Sequence, residues 1–144
     1  MYALRPATEA DYDFLYALHT VTMKEYVTAI WGWDEAAQQR MFRERFDPAA
    51  RQIVVVEGQD AGDLEVEWRE DSAFIARIAL APGVQHRGIG TAILKDILAE
   101  AKSRGLPVTL HALRPNPARR LYERLGFVVT EETPERFYLR REPL

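Results

Sequence analysis

The chain has 144 residues, close to a prior of ~150 per domain and long enough to hide about 68–70% of its unfolded surface without staples. Hydrophobic residues make up 47%, charged residues 28%, and the formal charge is −3, which is the balance of a soluble globular domain and argues against a dedicated nucleic-acid binder. Cysteine is absent, so disulfides, thiolate nucleophiles and Cys-ligated zinc are excluded together.

Met1 to Pro6 lacks the apolar core of a signal peptide. The most apolar stretches, Ile53–Val56 and Phe74–Ala81, fall short of the ~20 residues that span a bilayer. The expectation is one cytoplasmic domain over 1–144, with neither membrane nor nucleic acid as a partner.

Thr8-Glu9-Ala10-Asp11 has the pattern of a capping box, and Phe14, Leu15, Leu18 and Thr22 follow at helical spacing, so a first helix starts near Glu9. Lys24 to Asp34 reads as irregular and aromatic, carrying Tyr26, Trp31 and Trp33. Asp34 caps a second helix to about Phe46, which Asp47-Pro48 ends. Gln52–Glu57 is β-branched and continuous, as in a strand buried on both faces. Gly58–Gly62 reads as a turn. Leu64, Val66 and Trp68 then alternate with Glu65, Glu67 and Arg69, giving a strand with one buried and one polar face.

Phe74–Ala81 is the next strand, and the three in succession predict an antiparallel meander. Ile89, Ile93 and Ile97 recur every four residues in a long helix that Arg104-Gly105 closes. Val108, Leu110 and Ala112 alternate in another strand. Asn116-Pro117 opens a short helix with a polar cap, and Gly126 closes it. Phe127–Val129 and Phe137–Leu139 are the last strands. The predicted order is βααβββαβαββ, an α/β fold with helices packed on a central sheet.

The segment from Leu80 to Thr91 carries the chemistry. A strand runs into a glycine-containing loop and then into a long helix, whose first amides have no internal partner and carry partial positive charge. Such a start suits a phosphate if small residues allow its approach, and Gly88 and Gly90 do. Two rival phosphate loops fail on the sequence. A P-loop needs a lysine before the final Ser/Thr, and here the end is Gly90-Thr91; a dinucleotide fingerprint needs a third glycine where Ile93 stands.

Gln85-His86-Arg87-Gly88-Ile89-Gly90 matches the pattern Gln/Arg-x-x-Gly-x-Gly/Ala, preceded by Leu80-Ala81-Pro82. About thirty residues later, Asn116 to Phe127 is similar to Asn-x-x-Ala-x-x-x-Tyr-x-x-x-Gly-Phe, with the alanine one place early. In these two motifs, their order and their separation, the chain resembles the Gcn5-related N-acetyltransferases from about Ile53 to Leu139. The resemblance implies a mixed, mostly antiparallel sheet flanked by helices. It implies an acetyltransferase that passes an acetyl group from acetyl-CoA to a primary amine by direct attack in a ternary complex, without a metal.

By the same resemblance Gln85, His86, Arg87, Gly88, Ile89, Gly90 and Thr91 hold the pyrophosphate. Ile78, Ala79 and Leu80 lie on the strand whose edge meets the pantetheine arm, where the fourth and fifth strands splay. Asn116 and Arg119 contact the cofactor, and Tyr122 protonates the departing thiolate. Tyr122 also shares a helical face with Ala118, Leu121 and Leu125, as a core tyrosine does.

The general base is open among Glu65, Glu67 and His111, because Phe74–Ala81 has no carboxylate. Tyr26, Trp31 and Trp33 fall where the family forms its acceptor pocket, for a small-molecule or peptide amine. A homodimer is among the assemblies the family allows. Two other classes stay open: a non-catalytic acyl-CoA sensor or interaction module with the same fold, and a nucleotide- or phosphate-binding protein using the same loop.

Overall fold

A computed structural model describes residues 1–144. Seven strands form one sheet: β1 (Ala3–Pro6), β2 (Gln52–Val56), β3 (Gln59–Trp68), β4 (Ala73–Leu80), β5 (Val108–Leu113), β6 (Val128–Glu132) and β7 (Arg136–Arg141). Their spatial order is β1-β2-β3-β4-β5-β7-β6. Every neighbouring pair is antiparallel except β4 and β5. The helices are α1 (Tyr12–Trp31), α2 (Glu35–Arg45), α3 (Ile89–Ser103) and α4 (Ala118–Arg124). The expected element order and mostly antiparallel sheet are therefore what the chain adopts.

The two faces of the sheet are covered differently. Ile89, Ile93, Leu94 and Ile97 of α3 and Tyr122 of α4 pack with Leu64, Ile75, Leu110 and Leu139 in the main core. Leu15 of α1 and Phe42 of α2 pack with Ile53 in a smaller cluster. Strand alternation assigns the faces. Leu64, Val66 and Trp68 turn to the α3 side, while Asp63, Glu65 and Glu67 turn to the α1/α2 side.

Three local expectations are corrected. The segment from Lys24 is not irregular: α1 continues to Trp31, since no Gly or Pro interrupts it before Gly32 ends it at φ 80°. Nor is Gly58–Gly62 all turn. The reversal is the pair Glu57-Gly58, both at positive φ (53° and 76°), which matches the twist of a two-residue hairpin. Gly62 lies inside β3, where a Cβ would meet the Ala79 carbonyl at 2.7 Å and Val54 Cβ at 2.9 Å, so its glycine serves close strand packing. The final helix also begins slightly late. Ala118 is its first residue, and Asn116 caps it by accepting from the Ala118 amide at 2.9 Å.

Candidate active site

β4 and β5 pair only at Ala73–Val108 and Phe74–Thr109, then separate. Opposite the separation, β3 and β4 slip register: Arg77 faces Glu65 but Ile75 faces Val66, leaving Ala76 as an extra residue. Such a bulge bends its strand. β5 stays fully paired with β7 over Val108–Leu113, so the open edge is the one towards β4. Backbone parity shows which groups face the gap. The Ala81 amide donates to the Ala61 carbonyl at 2.8 Å, across the ladder to β3. Alternation then turns Ala79 towards β3 as well, and directs the amides of Ile78 and Leu80 into the gap. Gln85 Nε2 donates to the Leu80 carbonyl at 2.9 Å, tying the following loop to this strand end.

That loop turns sharply. A single 3-10 turn (Pro82–Val84) is followed by His86 at φ 62° and Gly88 at φ 79°, and Gly88 caps α3. From His86 to Thr91, six consecutive backbone amides donate to no acceptor within the protein. A Cβ on Gly90 would meet only Leu80 Cδ1, at 3.6 Å, so packing does not require glycine there. Arg87 lies 3.2 Å from Glu57 at the tip of the β2–β3 hairpin.

At the other end of the gap the sheet opens into a cavity of about 780 Å³. Ile78 and Ala79 of β4, His111 of β5, Asn116, Tyr122, Glu67 and Trp31 all line it, so residues from both motifs converge there. Tyr122 is buried, with its ring edge-on to Phe127 at 5.9 Å. Burial alone pushes its phenol up to about 12, with no hydrogen-bonding partner contributing. The His111 ring lies between Phe74 at 5.7 Å and Tyr138 at 5.5 Å. Burial, and secondarily the Arg136 guanidinium, hold its pKa below the usual histidine value. Glu67 accepts from Arg69 at 2.8 Å.

Three expected contacts are not brought to the cavity. Arg119 stacks its guanidinium on Phe137 at 3.9 Å and lies 3.3 Å from Glu123. Trp33 turns back against His19, ring centres 5.8 Å apart, and donates to Glu35 at 3.2 Å. Tyr26 sits one residue, about 100° round the helix, from Val27 of the lining stripe. Because α1 is continuous, His19, Met23, Val27 and Trp31 fall at spacing four and present one face to the cavity.

Beneath the acceptor side lies a charge cluster. Arg51 and Asp63 are both 2% exposed and meet at 2.8 Å. Glu65 is 3.5 Å from Arg51, and Arg77 is 3.6 Å from Asp63. Burial pushes the Glu65 carboxyl up, and the two guanidinium groups oppose it. Arg77 also reaches His19 Nδ1 at 3.2 Å. An arginine can only donate, so Nδ1 accepts and Nε2–H donates to Gln38 at 3.1 Å. Burial lowers the His19 pKa in keeping with this neutral ring. Sequence spacing held a signal for this cluster: Arg77 is the lone charge in an apolar strand, and such a charge needs a buried partner.

A family model described as an acetyltransferase (GNAT) domain matches residues 49–129. Among solved structures, the fold is similar to the PaiA N-acetyltransferase of Thermoplasma acidophilum, determined in complex with coenzyme A, at TM-score 0.78 and 18% identity over 99% of each chain. It is similar to Ard1 of Thermoplasma volcanium at TM-score 0.71 and 20% identity, covering 99% of this chain and 98% of that one. For the ribosomal-protein-S18-alanine N-acetyltransferase of Escherichia coli the values are 0.65 and 20%, covering 99% and 94%. No curated protein matches the chain.

Proposed function

Because the chain belongs to the GNAT acetyltransferase family, we propose that it moves the acetyl group of acetyl-CoA to a primary amine by direct attack in a ternary complex. The observation that carries this reading is the continuity of three features: the loop of free amides, the β4–β5 gap and the Tyr122 hydroxyl. Each fits a part of the cofactor. Six unpartnered amides at the positive end of a 15-residue helix suit a pyrophosphate. The gap-facing amides of Ile78 and Leu80 suit the amide-bearing pantetheine arm as a strand-like neighbour. Acetyl-CoA supplies the activated acyl group, as a thioester.

The chain's own groups then divide the proton work. Glu67 and His111 flank Phe74 on the α1/α2 face, where the acceptor has room. Glu67 attracts the ammonium. His111, uncharged at neutral pH, takes the proton that the ammonium must lose before its nitrogen attacks. A gap-facing amide of β4 donates to the thioester oxygen as charge develops on it. Tyr122 gives its phenolic proton to the departing thiolate, and the second proton that the attacking nitrogen sheds as the tetrahedral adduct collapses restores the phenol, so the step leaves neutral amide, free thiol and one proton on His111. His111 of β5 and Tyr122 of α4 line the same cavity from different elements, which suits direct transfer with no acylated side chain.

The testing experiment is a thiol-release screen over amines, with each product identified by mass. The reading expects free CoA and acetylated amine in equal amounts. Stabilisation by acetyl-CoA with no thiol released from any amine would instead mark a binding module that keeps the fold. Stabilisation by ATP or NAD but not by acetyl-CoA would mark a nucleotide site.

A further inference from the structure

The guanidinium groups lining the cavity are not equivalent. Arg51 and Arg77 are answered by Asp63 and Glu65 beneath them. Arg45 is exposed at the end of α2. Arg136, the first residue of β7, is half-buried and makes no ion pair, and its Nε, like that of Arg51, is buried without a hydrogen-bond partner, so its charge alone is left unanswered inside the wall. Neither carboxylate on the cavity wall pairs with Arg136: Glu67 lies against Arg69 at 2.8 Å and Glu65 beside Arg51 at 3.5 Å. A buried Nε–H with no acceptor is costly unless something else accepts from it, and the half-buried terminal N–H groups beside it are free to bind the same partner.

The surroundings of Arg136 indicate what that partner is. Its guanidinium lies 5.4 Å from the ring of Trp31, whose exposed face forms the neighbouring wall. The rigid fork of arginine matches the two oxygens of a carboxylate. Position brings the two groups to one wall. β7 pairs Arg136 with Leu113, two residues along β5 from His111 and on the same face of the sheet, and both Arg136 and His111 line the cavity. A small molecule with an amine at one end and a carboxylate at the other can meet both, with a hydrogen bond of ~2.8 Å at each end.

We propose that the acceptor is a small amine bearing a carboxylate, amino-acid-like in its chemistry. Arg136 holds the carboxylate beside Trp31 while the amine faces His111. This rests on the acetyl-transfer reading and sharpens it to a substrate class.

The test compares acceptors in pairs at saturating acetyl-CoA. L-Phenylalanine is set against its amide and phenethylamine, L-methionine and L-glutamate against their α-amides, and 4-aminobutyrate against butylamine. The carboxylate member of at least one pair is expected to lead in kcat/KM by roughly 10- to 100-fold, the scale of a charge-assisted pair. Arg136→Gln should collapse that ratio towards one, and Arg136→Lys should restore part of it. Melting temperatures check that both variants fold.

A second arm titrates N-acetyl-L-phenylalanine, N-acetyl-L-methionine and N-acetyl-L-glutamate onto the CoA complex. At least one should stabilise wild type and lose that effect in Arg136→Gln. A lead by the neutral partners, a ratio untouched in Arg136→Gln, or neither turnover of any acid nor binding of any N-acetyl acid overturns the proposal. If neutral amines or peptide N-termini are acetylated instead, the acetyl-transfer reading stands without it. If acetyl-CoA neither stabilises the protein nor releases thiol with any amine, both fall.

Discussion

Replacing Tyr122 by phenylalanine removes one oxygen from a side chain that is otherwise core. The ring keeps its edge-on contact with Phe127 at 5.9 Å, and no protein group bonds the hydroxyl. Stability should therefore stay within about 0.5 kcal/mol, the usual range of a substitution that breaks no contact. The effect on catalysis is of another order. Burial raises the phenol from 10.0 to about 12, adding roughly 3 kcal/mol to the cost of a free tyrosinate. Tyr122 thus cannot release its proton ahead of need, and transfer is coupled to the breaking C–S bond. General acids typically contribute about 10²- to 10⁴-fold, and because a phenol at about 12 is a weaker acid than a thiol at ~8.5, this one acts only with the leaving sulfur seated against its hydroxyl. With an amine that wild type acetylates, at saturating concentrations of both substrates, thiol release by Tyr122→Phe should fall by at least ~100-fold in kcat. The raised pKa also keeps the acid protonated, so Tyr122 imposes no alkaline decline on kcat below about pH 12. A correctly folded Tyr122→Phe enzyme with wild-type kcat would refute the assignment, and with it the coupling argument.

Other consequences concern the frame around the site. Asp63→Asn leaves Arg51 and Arg77 under-compensated at a position only 2% exposed, and should cost about 3–5 kcal/mol in urea unfolding; a loss below about 1 kcal/mol would mean the cluster is not a buried ionic unit. Gly62→Ala places a Cβ 2.7 Å from the Ala79 carbonyl and should cost about 1–3 kcal/mol, whereas an unchanged melting temperature would mean that β3 and β4 can separate freely there. The buried His19 has a lowered pKa, so the folded state binds its proton less readily than the unfolded chain. Its contribution to stability is present above about pH 6.5 and is lost as pH falls through the lower folded value. His19→Gln should accordingly lose less stability than wild type between pH 7.5 and 5, and equal losses would remove His19 from the account.

The cofactor side of the site was legible because local rules govern it. A strand, a glycine-containing loop and a helix start are adjacent in sequence, so the free amides from His86 to Thr91 follow from the order of residues. Tyr122 was visible through the spacing of its helix, although spacing alone did not separate a cavity wall from a core. The acceptor side depends on long-range placement. Read as irregular, Lys24 to Asp34 offers Tyr26, Trp31 and Trp33 alike; only the continuous helix shows that Trp31 shares the cavity stripe with His19, Met23 and Val27, while Tyr26 and Trp33 lie off it. Asp63 and Arg51 are twelve residues apart in sequence and meet only because β2 and β3 pair. Arg136 carried no sequence signal, as its meaning depends on Trp31 and His111 arriving from other elements.

The central claim is that the loop of free amides and the gap between β4 and β5 form one acetyl-CoA site ending at Tyr122. A crystal structure with acetyl-CoA tests it most directly. The account predicts pyrophosphate oxygens within hydrogen-bond distance of amides between His86 and Thr91. It also predicts the pantetheine arm along Ile78 and Leu80, and the thioester sulfur beside the Tyr122 hydroxyl. A cofactor bound elsewhere, or lying in the gap with its sulfur remote from Tyr122, would contradict it.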